Sequence, residues 1–413
     1  MARMVPTASL SALLALACLS ASATAQNGSQ TPAGKPAARE PALAALFVED
    51  IAPAGTPIPR FKVDAAWPTM PDDMMLGQVS GVAVDKDDDV WVIHRPHSLG
   101  ATDTGLALNP PAAKCCRPAP TIVRFSKAGA YLDGWGGPDT GPVIDGVSQW
   151  PKSGHGIYVD ADKTVWFGGN GDGDHAVLNF TADGKFIRSF GRREKTAGNQ
   201  DKASLGNPSD IFHEGNEVLV ADGYINKRIM GFDGKANGFR EYWGAYATPP
   251  ADIPSDGHFD VSKAMSDADG GANPQAKNFG DIVHCIVKTK GGDYYVCDRR
   301  NNRAQLFRRD AKGKMQFVRD VAIAPETRGT RTVTDVALSP DEKYLYIADM
   351  MNGRIWILLR ETHQVLGAIG RNGRQAGQFT WLHSIATDSA GNIYATEVST
   401  GRRVQKLVFT GFD

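Results

Sequence analysis

One pattern recurs six times between residues 80 and 398, and it narrows the folds open to this chain more than any other feature. Each copy opens on a small residue or a histidine and runs through a strand of alternating apolar and polar residues. It then turns on Asp, Gly or Asn and returns as a second strand. The copies are SGVAVDKDDDVWVIHR (80–95), HGIYVDADKTVWFGG (155–169), SDIFHEGNEVLVADGY (209–224), HCIVKTKGGDYYVCDRR (284–300), TDVALSPDEKYLYIADMM (334–351) and HSIATDSAGNIYATEV (383–398). Several continue into a third strand and a fourth ending in aromatic-Gly, as in TIVRFSKAGAYLDGWG (121–136). A unit of four short antiparallel strands cannot bury both its faces alone, so such units stack radially. The expected fold is all-β, a six-bladed β-propeller over residues 59–413. The last copy supplies only a third strand, Val404 to Val408, after its hairpin, so Arg60 to Val63 is expected to add the outer strand and close the ring. Period-2 alternation and dense turns exclude a helical solenoid.

The 413 residues are 42% hydrophobic, with 45 basic against 46 acidic side chains, which calls for a packed core rather than disorder. A formal charge of −1 gives no general electrostatic reason to bind nucleic acid or an anionic membrane. At the N-terminus, Arg3, the apolar run Ala8 to Ala17 and the small residues of Ala23-Thr24-Ala25 have the form of a signal peptide over residues 1–25. A lipobox ending at Cys18 fits less well. Residues 26–58, rich in Ala, Pro, Gly and Ser, read as a flexible leader, and no later stretch is long and apolar enough to span a bilayer. The protein is therefore expected to be exported, periplasmic or secreted. Disulfides are then permitted, and Cys285 with Cys297 flanks a hairpin and makes the favoured bridge. Cys115 and Cys116 are adjacent, either bridged or reduced.

In a propeller the first strand of each blade lines the central channel, so the residues opening the six copies face the axis. They are Ser80, His155, Ser209, His284, Thr334 and His383. Histidines in every second blade approximate a threefold arrangement, which matches His₃ ligation of a catalytic zinc with one position left open. Strand two returns to the same mouth. There it leaves His94-Arg95, Asp222-Gly223-Tyr224 and Asp298-Arg299. Tyr224 is the candidate base, and Arg95 and Arg299 are forks for a carboxylate. The expected partner is thus a small-molecule or peptide carboxylate. The Asp85–Asp89 run and the glycine-rich 168–174 segment read as turns, because no helix follows the glycines. His175 and His213 fall outside the opener register and read as structural.

These residues carry a resemblance. Leu76 to Asp85 followed by His94-Arg95, His155-Gly156-Ile157 with Asp160, Ala221 to Ile229, Asp298-Arg299 with Asn302-Arg303, and His383 together resemble the lyase half of the peptidylglycine α-amidating enzymes, an NHL-type propeller family. The resemblance runs in order over nearly the whole propeller. It implies zinc on His155, His284 and His383, a catalytic tyrosine at Tyr224 and site arginines at Arg95 and Arg299. It also implies a channel calcium held by the backbone oxygens of Val82 and Ile157, with Ser384 standing where the family has an acidic ligand. Ile225 replaces the cysteine that follows the family's tyrosine. The activity implied is cleavage of a peptidyl- or acyl-α-hydroxyglycine to an amide and glyoxylate. The alternatives are another metal-dependent propeller lyase or hydrolase for a small hydroxy or ureido acid, or a non-catalytic NHL-repeat binding scaffold. Insertions at 96–120 and 245–278 are expected beside the mouth.

Overall fold

The computed structural model describes residues 40–253 and 273–413. The segment expected to be a signal peptide, the start of the expected leader and the centre of the second insertion lie outside the described residues. Six antiparallel sheets follow one another along the chain. Blade one is Gln78–Val84, Val90–Arg95, Ile122–Phe125 and Tyr131–Trp135. Blade two runs from Gly154–Val159 to Phe186–Gly191, blade three from Pro208–Glu214 to Phe239–Trp243, and blade four from Val283–Lys288 to Met315–Ala322. Blade five opens at Asp335–Leu338 and blade six at Leu382–Thr387. The six-bladed propeller expected from the repeats is the observed architecture.

Closure also follows the sequence reading. Pro59–Asp64 pairs antiparallel with Arg403–Phe412, so one sheet joins the two ends of the propeller. The leader, in contrast, is not free along its whole length. Leu43–Ala45 pairs with Pro59–Asp64, and Val48–Asp50 pairs with Gln364–Ile369 of blade five. Two blades thereby gain a fifth strand. The physical reason is the open outer edge, whose unpaired N–H and C=O groups accept any extended segment that reaches them.

Packing between blades explains the Val, Ile and aromatic content of strands apolar on both faces. Trp91 and Ile93 of blade one meet Ile157, Val165 and Phe167 of blade two, all fully buried or nearly so. The Asp-rich turns are structural, as expected. Asp85 accepts the Asp87 and Asp89 amides and the Trp91 indole N–H, and Asp160 likewise accepts from Asp162, Thr164 and Trp166. Asp174 locks the glycine-rich segment by accepting the Lys152, Ser153 and Gly171 amides. His213 bonds Asp160 at 2.8 Å, away from the axis. Cys285 and Cys297 are disulfide-bonded across the blade-four hairpin, and Cys115 is bonded to Cys116.

A second repeated device fixes the returning turns at the mouth. Asp222 at the end of strand two pairs with Arg228 at 2.9 Å, and Asp298 pairs with Arg303 at 2.9 Å, with all four side chains fully buried. Arg228 also donates to the carbonyls of Asn199, Asp201 and Ser204, so all three nitrogens of the fork are engaged. Removing one partner of such a pair strands a buried charge. Arg228→Ala is accordingly expected to cost about 3–5 kcal/mol, seen as an earlier midpoint in chemical denaturation, whereas loss of a surface pair such as Lys86–Asp87 is expected to move it little.

Candidate metal centre

The openers reach the axis because of a bulge. In blades one, two, three, four and six the pairing of strands one and two slips by one residue at the opener, between Val79 and Gly81, Gly154 and Ile157, Pro208 and Asp210, Val283 and Ile286, and Leu382 and Ile385. One extra residue on the inner strand bends it and re-aims the side chain. Gly156 permits the crowding that follows, since a Cβ there would collide with the Ser209 carbonyl of the next blade.

The three histidines meet as expected. His155, His284 and His383 are 1%, 4% and 3% exposed, and one ligand atom from each lies within 4.8 Å of the others. Their outer nitrogens follow one rule. His155 Nδ1 donates to Ser209 O (2.6 Å), His284 Nδ1 to Thr334 O (2.6 Å) and His383 Nδ1 to Ser80 O (2.7 Å). Each acceptor is the carbonyl of the following blade's opener. A carbonyl only accepts, so Nδ1 carries the proton and Nε2 presents a lone pair to the axis. Burial, reinforced by neighbouring imidazoles and arginines, holds all three well below the ordinary histidine pKa and keeps them neutral.

That geometry fits a bound cation. The Nε2 atoms of His284 and His383 are 3.2 Å apart, an unfavourable approach for two lone pairs with nothing between them. Tetrahedral coordination at about 2.0–2.1 Å sets ligand nitrogens roughly 3.3 Å apart. Neutral imidazoles with fixed outer hydrogen bonds are the ligand form zinc takes.

Tyr224 and both arginines surround this ring. Tyr224, 5% exposed, places its hydroxyl 2.8 Å from His155 Nε2. Its turn is tight, because a Cβ at Gly223 would collide with the Val283 backbone. The Arg299 guanidinium lies 5.9 Å from the centre of the Tyr224 ring. Arg95 is held by Gly154 O (3.0 Å), Gln78 Oε1 (3.0 Å) and Asn170 Oδ1 (3.1 Å), and its charge reaches His155 and His383. Burial lowers the pKa of both arginines without neutralising either. The first insertion lies close by, with Ser98 Oγ bridging the Arg95 carbonyl and the Gln78 amide, and Asp103 pairing with Arg402 of blade six at 2.9 Å.

Sequence reasoning missed three groups. Arg331, 3% exposed, sits between blades four and five, where burial and Arg299 lower its pKa to about 10. Asp210 and Asp335 line the central channel, a cavity of about 300 Å³ shared with Val82, Ile157 and Ser384. Burial raises both carboxyls, Asp335 to about 6, and Asp335 accepts the Ile385 amide at 2.9 Å. Each acid immediately follows an opener, the position held by Ser384 in blade six, so aligning the six copies one column further would have found them. The channel thus carries carboxylates on blades three and five, and Ser384 on the sixth.

No family model matches the chain. A Caenorhabditis elegans protein named "Probable peptidyl-alpha-hydroxyglycine alpha-amidating lyase" is 29% identical over 175 residues, 39% of this chain and 43% of the relative. The chain resembles an amidating lyase. The aligned part spans less than half of that relative. NHL repeat-containing protein 3 of Mus musculus is 22% identical over 363 residues, covering 85% of this chain and 84% of the relative. Among solved structures, a gluconolactonase from Xanthomonas campestris superposes with a TM-score of 0.48 at 13% identity, over 91% of this chain and 99% of that one.

Proposed function

We propose that the protein is a zinc-dependent lyase that cleaves the C–N bond of a peptidyl- or acyl-α-hydroxyglycine to an amide and glyoxylate. The observation that carries this reading is the convergence of three neutral, outward-anchored imidazoles beside Tyr224. His155, His284 and His383 would hold the ion, which supplies Lewis acidity to an oxygen of the substrate when bound. Arg95 and Arg299 bind and orient the substrate carboxylate. Tyr224 Oη takes the proton of the substrate hydroxyl, the electron pair freed from the O–H bond forms the second bond of the aldehyde C=O, and the C–N bond breaks. The departing amide nitrogen keeps the C–N bonding pair and receives the proton from Tyr224, so no water is consumed. Arg299 lies beside the ring, where its positive charge stabilises negative charge that develops during these transfers. Burial of the ring excludes bulk water from these transfers.

Incubation of the untagged, zinc-loaded protein with α-hydroxyhippurate is expected to release benzamide and glyoxylate in equal amounts. No glyoxylate above the uncatalysed background would reject the activity. The extent of similarity to an NHL repeat-containing protein favours a second reading, a binding scaffold. A scaffold has no reason to retain one equivalent of zinc through dialysis, and the lyase does. The Cys285–Cys297 disulfide supports an exported location, and Asp210 and Asp335, which line the same channel as Val82 and Ile157, would supply the negative charge for the implied calcium that Ser384 lacks.

A further inference from the structure

We infer that Arg331, Trp381, Met350 and Met351 form an acyl subsite beside the histidine ring, which selects substrates with a bulky, uncharged apolar group ahead of the hydroxyglycine. The inference rests on the lyase reading above and adds what lies on the amide side of the scissile bond. Strand two of every blade ends at the mouth, and those ends carry the chemistry: Tyr224 in blade three, Arg299 in blade four. In blade five the same positions are Met350 and Met351. Beside them is a cavity of about 190 Å³, also walled by Trp381 and Arg331, with Asn372 and Thr380 completing its lining. An apolar cavity of about 150 Å³ accepts a benzene ring, so a phenyl-sized group fits.

The backbone ties this cavity to the metal centre. The Arg331 amide donates to the Arg299 carbonyl at 3.1 Å, and the Met350 amide donates to the Arg331 carbonyl at 3.1 Å. Arg331 therefore bridges the end of strand two in blade four to that in blade five. Its guanidinium lies 5.0 Å from the centre of the Trp381 ring, and Trp381 precedes His383 by two residues. Arg331 and Trp381 thus tie the cavity to the metal centre, through the Arg299 backbone and the short run to His383. Thioether and indole faces bind aromatic and aliphatic groups through contact area and sulfur–aromatic contacts. The buried cation opposes a lysine or arginine side chain there, so the pocket discriminates by repulsion as well as by fit.

The test compares N-benzoyl- with N-acetyl-α-hydroxyglycine as substrates, and N-benzoylglycine with N-acetylglycine as unreactive ligands in calorimetry. Wild-type protein is expected to favour benzoyl over acetyl about 10- to 100-fold in kcat/KM and in affinity. Trp381→Ala and Met351→Ala, checked for zinc content, are expected to bring that ratio towards one while changing the acetyl values little. Equal preference in the wild type, or a preference untouched in both variants, overturns the subsite. If no glyoxylate forms, the lyase reading fails alone, and the calorimetric ratio still decides the subsite; absence of binding by either acylglycine counts against it.

Discussion

Replacing His284 with alanine is expected to strip zinc from the purified protein and to lower kcat/KM for α-hydroxyhippurate by more than about 100-fold. Losing the outer hydrogen-bond partner of a ligating histidine already costs roughly 10–100-fold in affinity or activity, and here the ligand itself goes. His284 links both halves of the arrangement, since Nδ1 donates to Thr334 O and Nε2 faces His383 at 3.2 Å. The substitution leaves a buried carbonyl unpaired at a cost of about 1–3 kcal/mol, which a large propeller absorbs. His284→Gln, which preserves more volume, guards against a packing explanation. Chelation supplies an independent reading. A ligand at 100 times its Kd stabilises the native state by about 2.7 kcal/mol, so a chelator is expected to lower the wild-type Tm and to leave both variants where they were. One equivalent of zinc retained by His284→Ala, with the wild-type response to chelator, would sink the metal centre as drawn.

What could be foreseen followed the period of the chain. The openers stand in one register of the repeat, so three histidines in alternate blades were legible before any coordinates, as were the tyrosine and arginines where strand two returns. The bulge that aims them was not, because a one-residue slip changes the pairing without changing the hydrophobic alternation. Arg331 escaped notice because it lies in a connection between blades, where spacing to the repeat varies. Leu43–Ala45 and Val48–Asp50 escaped for a different reason. Each is three residues long and largely exposed, and it is held by the backbone edge of a blade already formed, so it has no apolar face to advertise. Asp210 and Asp335 were missed because the comparison of the six copies stopped at the opener, one residue before each of them, and only the structure shows that this next column lines the channel.

Tyr224→Phe is expected to lower kcat for α-hydroxyhippurate by about 10²- to 10⁴-fold while zinc content and folding stay at wild-type levels. The substitution deletes one oxygen and keeps the ring that packs within 5.0 Å of His155 and beneath Arg299. The hydroxyl bonds the inward Nε2 of His155, the atom assigned to the ion, so it stands beside the position a substrate hydroxyl would take. Its loss is compatible with ligation, because His155 keeps its anchor on Ser209 O at 2.6 Å. A group that transfers a proton in the transition state shows its absence in kcat, whereas one that only shapes the pocket shows it in KM. Affinity for N-benzoylglycine, which keeps the carboxylate and lacks the hydroxyl, is therefore expected to change less than about threefold. A phenylalanine variant with undiminished kcat would remove Tyr224 from the chemistry. A variant that loses zinc along with activity would make the tyrosine a support for His155 instead of the base.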